Sequence, residues 1–169
     1  GVEFRMNTAP SVSEIVELQP SRVFIATGAT ARPHGLEGAE EHIIVSAWDV
    51  LLNQAGPLGK TILLIDEEYG HQGPTTAAFL AERGHEVDLI TSQEIIGNYL
   101  GSTTRPPLLT RLFKLGVQMF HHLQAKRLEN GYCIAANLWT SELHQVGPYD
   151  GFVYAFGGIS YDPLSVELK

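Results

Sequence analysis

The stretch that most constrains the fold is residues 61–91. Thr61 to Ile65 is an aliphatic run, followed by the loop DEEYGHQG, the helical pattern PTTAAFLAERG and a second aliphatic run, HEVDLIT. A parallel strand pair needs a connection of a dozen or more residues, usually a helix. Strand, glycine-bearing loop, helix and strand within about thirty residues is therefore the pattern of a parallel, right-handed crossover. Pro74 suits the first helical turn, where an N–H would have no partner, and Gly84 suits the stop. The expected fold class is α/β: a Rossmann-like three-layer domain with a parallel central sheet.

The rest of the chain extends this pattern. Arg105 to Leu115 is a second helix, with Pro106 and Pro107 near its start and Gly116 as its stop, and VQMFHHL follows as a third strand. Asn130-Gly131 between KRLE and YCIAAN is a two-residue hairpin turn, which predicts a small antiparallel β-meander. Gly147-Pro148 turns the chain into GFVYAF, a last buried strand that ends at Gly157 and Gly158. Ahead of the crossover, Ser46 with Asp49 three residues on reads as the cap of a helical VLLNQ segment.

The N-terminal part reads differently. Val2 to Met6 is extended and SEIVELQ weakly helical. Val23 to Ala26 is a buried-strand signal closed by Thr27 and Gly28, and residues 32–41, with Pro33, Gly35 and Gly38, read as a linker. The expected division is 1–35, flanking strands with a linker, and 36–169, the Rossmann-like domain. The opening Gly1 and the mid-fold character of GVEFRMN suggest one subunit of a split protein or a piece of a longer one.

Charge and composition exclude several functions. Eleven Lys and Arg against nineteen Asp and Glu leave a net charge of -8, which would repel a phosphate backbone or an anionic membrane, so neither nucleic acid nor membrane is an expected partner. No apolar run approaches the roughly 20 residues of a membrane span. A lone Cys133 cannot form an internal disulfide or hold a cluster, and a cytoplasmic setting fits it. The histidines lack ligand spacing: His121 and His122 would face opposite sides of a strand, and His71 and His85 flank a helix. No serine sits in a G-x-S-x-G turn, so no Ser-His-Asp nucleophile is expected, and no catalytic residue is singled out.

The loop between strand and helix is where a dinucleotide fold places G-x-G-x-x-G, whose glycines let a pyrophosphate reach the backbone at a helix N-terminus. Here it holds Asp66, Glu67, Glu68, Tyr69, Gly70, His71, Gln72 and Gly73. At about 5 Å and an effective dielectric of about 20, each carboxylate–phosphate pair costs about 3 kcal/mol. The ribose-binding acidic residue expected after the second strand is replaced by Thr91, Ser92 and Gln93, and no arginine stands near enough to read a 2′-phosphate. The residues leave two readings open: a nucleotide fold whose loop now serves structure or docking, or an NAD(P)H site retained at Gly70, Gln72 and Gly73. Thr27-Gly28 and Gly157-Gly158 each close an apolar strand signal, the position where open parallel sheets bind ligands.

Taken together, VFIATGATARPHGLEG, ILLIDEEYGHQGPTTAAFLAERGHEVDLIT and FKLGVQMF resemble the C-terminal region of the trimethylamine dehydrogenase and 2,4-dienoyl-CoA reductase (NADH:flavin oxidoreductase) family. The resemblance covers nearly the whole chain. It implies a parent flavoenzyme with an FMN barrel, an iron-sulfur cluster and a pair of nucleotide domains, of which this chain is the NAD-type domain flanked by strands of an incomplete FAD-type domain. By the same resemblance Thr27 and Gly28 match a turn near an FAD or ADP site, Gly70 and Gly73 the nucleotide loop, and Gly157 and Gly158 a second strand-end turn. The acidic loop is similar to members related to trimethylamine dehydrogenase, in which this domain keeps its fold without a clear nucleotide role and electrons pass to a separate electron-transfer flavoprotein. The implied role is architectural and docking, with the remaining parent domains as partners, no cofactor firmly in this chain and no catalysis by the chain alone. The alternatives are an active NAD(P)H-binding domain passing hydride to a flavin, and a stand-alone interaction subunit.

Overall fold

The computed structural model describes residues 1–168 and divides the chain into two compact units, one of Gly1–Thr30 with the residues from Gly158 onward, the other of Ala31–Gly157. The first boundary between these units falls between Thr30 and Ala31. The residues from Gly158 onward, expected with the second domain, cluster instead with the first. The reason is backbone pairing: strand β1 (Ala29–Ala31) forms a two-stranded sheet with β10 (Gly158–Ser160).

The first unit also holds the short helices α1 (Val12–Glu17) and α5 (Pro163–Glu167). Helix α1 opens on a capping box: the Ser11 hydroxyl accepts from the Glu14 N–H and the Glu14 carboxylate accepts from the Ser11 N–H, satisfying two donors that a helix start leaves open. The expected buried strand at Val23–Ala26 is absent. That segment pairs with no strand among the described residues, and Phe24 is 90% exposed. Aliphatic composition marks a segment that would gain from burial, but burial needs a second apolar surface that covers it, and here Val23, Phe24 and Ala26 stay exposed while Ile25 is half-buried.

The second unit contains a five-stranded, all-parallel sheet in the order β2-β9-β3-β4-β5, formed by β2 (Ile44–Ser46), β3 (Thr61–Asp66), β4 (Glu86–Thr91), β5 (Gln118–Phe120) and β9 (Gly151–Ala155). Helices α2 (Ala47–Leu51), α3 (Gln72–Ala81) and α4 (Arg105–Lys114) lie on one face, and an antiparallel sheet of β6 (Leu123–Glu129), β7 (Tyr132–Asn137) and β8 (Leu143–Val146) covers the other. The side-chain alternation of β3 makes the layering explicit. Ile62 and Leu64 pack with Ala77, Ala78 and Leu112 of the helices, while Leu63 and Ile65 pack with Leu123, Leu128 and Cys133 of the antiparallel sheet. This is the expected three-layer α/β class. Because both faces are covered, β3 reads as a continuous aliphatic run.

The predicted Ser46–Asp49 capping box starts α2, with the Ser46 hydroxyl accepting from the Asp49 N–H at 3.0 Å. The hairpin at Asn130-Gly131 is present, both residues lying at positive φ (52° and 82°) as a two-residue turn of this kind requires. The expected single strand VQMFHHL is corrected to two, β5 and β6. His122 adopts φ 60° and donates its N–H to the Gln93 carbonyl at 3.1 Å, ending the parallel pairing and turning the chain into the other sheet. His121 and His122 thus lie in this bend and not on opposite faces of a strand.

Candidate functional site

The loop after β3 sits at the carboxyl end of the parallel sheet. Register places Asp66 between Thr91 of β4 and Ala155 of β9, and the Glu67 N–H donates to the Ala155 carbonyl at 2.9 Å. The three consecutive carboxylates then diverge. Asp66 is fully buried; its Oδ1 accepts from the Glu68 and Tyr69 N–H groups at 3.2 and 3.3 Å, and its Oδ2 has no partner. Burial pushes the Asp66 pKa up to about 7, against the opposing pull of those two N–H groups and with a further push from the Glu68 and Glu67 charges. Glu67 turns toward β4: its Oε2 accepts from the Ser92 hydroxyl at 2.6 Å and the Tyr69 hydroxyl at 2.7 Å.

Glu68 takes the position that matters for nucleotide chemistry. Its Oε2 accepts from the Gly70 N–H at 3.0 Å and the Gln72 N–H at 3.2 Å, at the N-terminal end of α3. Backbone donors at a helix start, aided by the helix dipole, form the cradle that receives phosphate in dinucleotide folds. In this chain a carboxylate of the same loop occupies it. The residues therefore do not fit a bound diphosphate as they stand, because it would have to displace Glu68.

Two glycines set the geometry. A Cβ on Gly73 would lie 2.4 Å from the Asp66 Cγ, so only glycine lets the first turn of α3 rest against that buried carboxyl. Gly157, at φ 74°, follows β9; its N–H donates to the Gln72 side-chain carbonyl at 3.2 Å, and its Cβ position would be 3.6 Å from the Glu68 Cγ. Of the residues singled out in the sequence, Gly70, Gln72, Gly73 and Gly157 are thus gathered around this one loop. Thr27, Gly28 and Gly158 belong to the other unit. There the Thr27 hydroxyl donates to the Tyr161 carbonyl, the Tyr161 N–H donates to the Gly28 carbonyl at 3.0 Å, and Gly158 opens β10.

Sequence reasoning treated Asp66, Glu67 and Glu68 as equivalent obstacles, whereas the structure gives each its own donors. The role of Ser92 as a Glu67 partner was not anticipated; its only trace in the sequence is its place just past the end of the neighbouring strand. Cys133, in β7 of the hairpin, is buried, and burial pushes its thiol up to about 12. No group of histidine, cysteine and carboxylate side chains among the described residues is arranged to hold a metal ion. No helix among them is long and apolar enough to cross a membrane.

A parallel sheet layered between helices and an antiparallel sheet, with a loop-to-helix cradle at its carboxyl edge, is the build of a nucleotide-binding-like domain of flavin-dependent oxidoreductases. Residues 47–153 match the model of the OYE-like second alpha/beta domain, and the chain belongs to that family, within the trimethylamine dehydrogenase-like NADH:flavin oxidoreductases that its motifs resemble. It is 28% identical over its whole length to the "Probable N-methylproline demethylase" of Rhizobium meliloti and 29% identical over its whole length to the cinnamate reductase of Clostridium sporogenes, spanning 25% of each. In fold it is similar to a solved histamine dehydrogenase from Rhizobium sp. 4-9, with a TM-score of 0.83 at 20% identity over 96% of this chain and 26% of that one. The chain thus spans about a quarter of the length of the relatives it matches.

Proposed function

We propose that this chain is the NAD-type domain of a flavin-dependent oxidoreductase in which the protein itself fills the nucleotide cradle, leaving the domain an architectural and electron-partner-docking role. One observation carries the reading: the Glu68 carboxylate on the Gly70 and Gln72 N–H groups. A self-supplied anion saturates the donors a diphosphate would need and adds repulsion at the same point. That the chain covers about a quarter of its relatives supports placing it among further domains, which would supply FMN, an iron-sulfur cluster and the rest of an FAD or ADP site beside Thr27 and Gly28. Electrons would leave such a parent for a separate flavoprotein.

The test is calorimetric titration of the chain with NADH, NADPH and pyrophosphate. The unaltered protein is expected to bind none of them tighter than about millimolar, and Glu68→Ala to gain at least about tenfold in pyrophosphate affinity, roughly 1.4 kcal/mol. Glu67→Gln, whose partners lie on the β4 side, is expected to gain nothing. Micromolar NADH binding by the unaltered chain would establish the competing reading, a working NAD(P)H domain using Gly70, Gln72 and Gly73. The retained glycine packing at Gly73 is the feature that favours it.

A further inference from the structure

Asp66 is a fully buried carboxyl group with no cation beside it to balance its charge. Its exposure is 0%, its Oδ1 is committed to two backbone N–H groups, and its Oδ2 meets no donor. Every element packed on it withholds positive charge: β4 presents Thr91, β9 presents Ala155 and α3 presents Gly73, with the exposed His71 at the α3 N-cap. The charged groups that act on it are Glu67 and Glu68, both of its own sign. None of the three carboxylates takes part in an ion pair among the described residues. A buried carboxylate in such surroundings is tolerated as the neutral acid and strongly disfavoured as the anion.

The same residue is the anchor of the loop. The two N–H groups it holds belong to Glu68 and Tyr69, the residues that set the direction of the Glu68 side chain onto Gly70 and Gln72. We propose that Asp66 is a proton-operated latch: with its carboxyl neutral the 66–73 loop is closed, and loss of that proton draws Asp66 toward water, opens the loop and releases the Glu68 carboxylate from the two amides. The only bond broken is the O–H of the Asp66 carboxyl, whose electron pair stays on the carboxylate while the proton passes to solvent. Because burial sets its titration near neutrality, at about 7, the latch works within the physiological range. The inference is independent of whether the domain binds a nucleotide, since it concerns the state of the loop alone.

Amide hydrogen exchange of the full chain, read residue by residue by NMR from about pH 5 to about pH 9 and corrected for intrinsic exchange rates, tests it. Protection of the Glu68, Tyr69, Gly70 and Gln72 amides is expected to fall by up to about tenfold per pH unit as pH rises toward the midpoint and to level off above it, while β3 and β4 amides stay protected. The Asp66 carboxyl carbon signal of the unaltered protein should titrate with the same midpoint. Asp66→Asn, which keeps the Oδ1 acceptor but cannot ionise, should hold the loop closed throughout. Flat protection in the unaltered chain, a carboxyl signal titrating as an ordinary aspartate near pH 4, or loop opening at the same pH in the Asn variant would each overturn the latch.

Discussion

At the scale of single residues, the glycine at position 73 and the carboxyl it touches set the behaviour of the loop. Adding a methyl at Gly73 places carbon 2.4 Å from the Asp66 Cγ, so either α3 or the Asp66 side chain must move. Gly73→Ala is expected to lose about 1–3 kcal/mol of stability by overpacking, measured by urea unfolding. Asp66 carries a pH dependence of definite sign. Its folded pKa of about 7 lies above the ordinary value of 3.8, so the native state holds a proton that the unfolded state has released between those two limits. Stability therefore falls as pH rises through that window, by an amount on the order of 4 kcal/mol in total if the site stays rigid, and less to the extent that the loop opens. Unfolding free energies of the unaltered chain and Asp66→Asn, measured at about pH 5 and about pH 8, should diverge with the Asn variant the more stable at the higher pH. Parallel profiles would show that Asp66 is not the group responsible.

At the scale of elements, local chemistry reads directly from the chain wherever the partners are close in sequence. The Ser46–Asp49 box lies within one helical turn, and Ser46→Ala is expected to cost about 1 kcal/mol by removing the oxygen that satisfies the Asp49 N–H. Thermal unfolding monitored at α2 would register it. Asn130-Gly131 was equally legible, because few residue types tolerate two successive positive φ values. The break between β5 and β6 was not. Nothing in VQMFHHL distinguishes one strand from two, and the bend at His122 depends on a carbonyl from Gln93, nearly thirty residues earlier.

At the scale of the whole molecule, the two units differ in what holds them together. The Ala31–Gly157 unit has buried clusters on both faces of its parallel sheet, whereas the other unit has no buried residue among those described. Resistance to cleavage follows local burial and contact density. Limited chymotrypsin digestion is thus expected to cut first after Phe4 and Phe24, which are 78% and 90% exposed, and to leave a persistent fragment containing residues 31–157. Early cleavage within β3 or β4 would contradict this division. The unit boundaries show the same contrast in legibility, since the break near residue 30 is marked by composition while the assignment of the residues after Gly158 rests on the β1–β10 pairing, across more than a hundred residues of sequence.

The sequence by itself determined the crossover, the meander, the helix caps and the acidic character of the loop, because each follows from periodicity, turn chemistry or charge within a few neighbouring residues. Tertiary structure alone decided which carboxylate does what. Glu67 is drawn aside by Ser92 just past the end of β4, Asp66 is sealed between two strands and a helix start, and Glu68 is left to bind the Gly70 and Gln72 amides. Those assignments depend on where the neighbouring strands place their donors and on how completely each oxygen is removed from water, quantities that exist only once the sheet has formed.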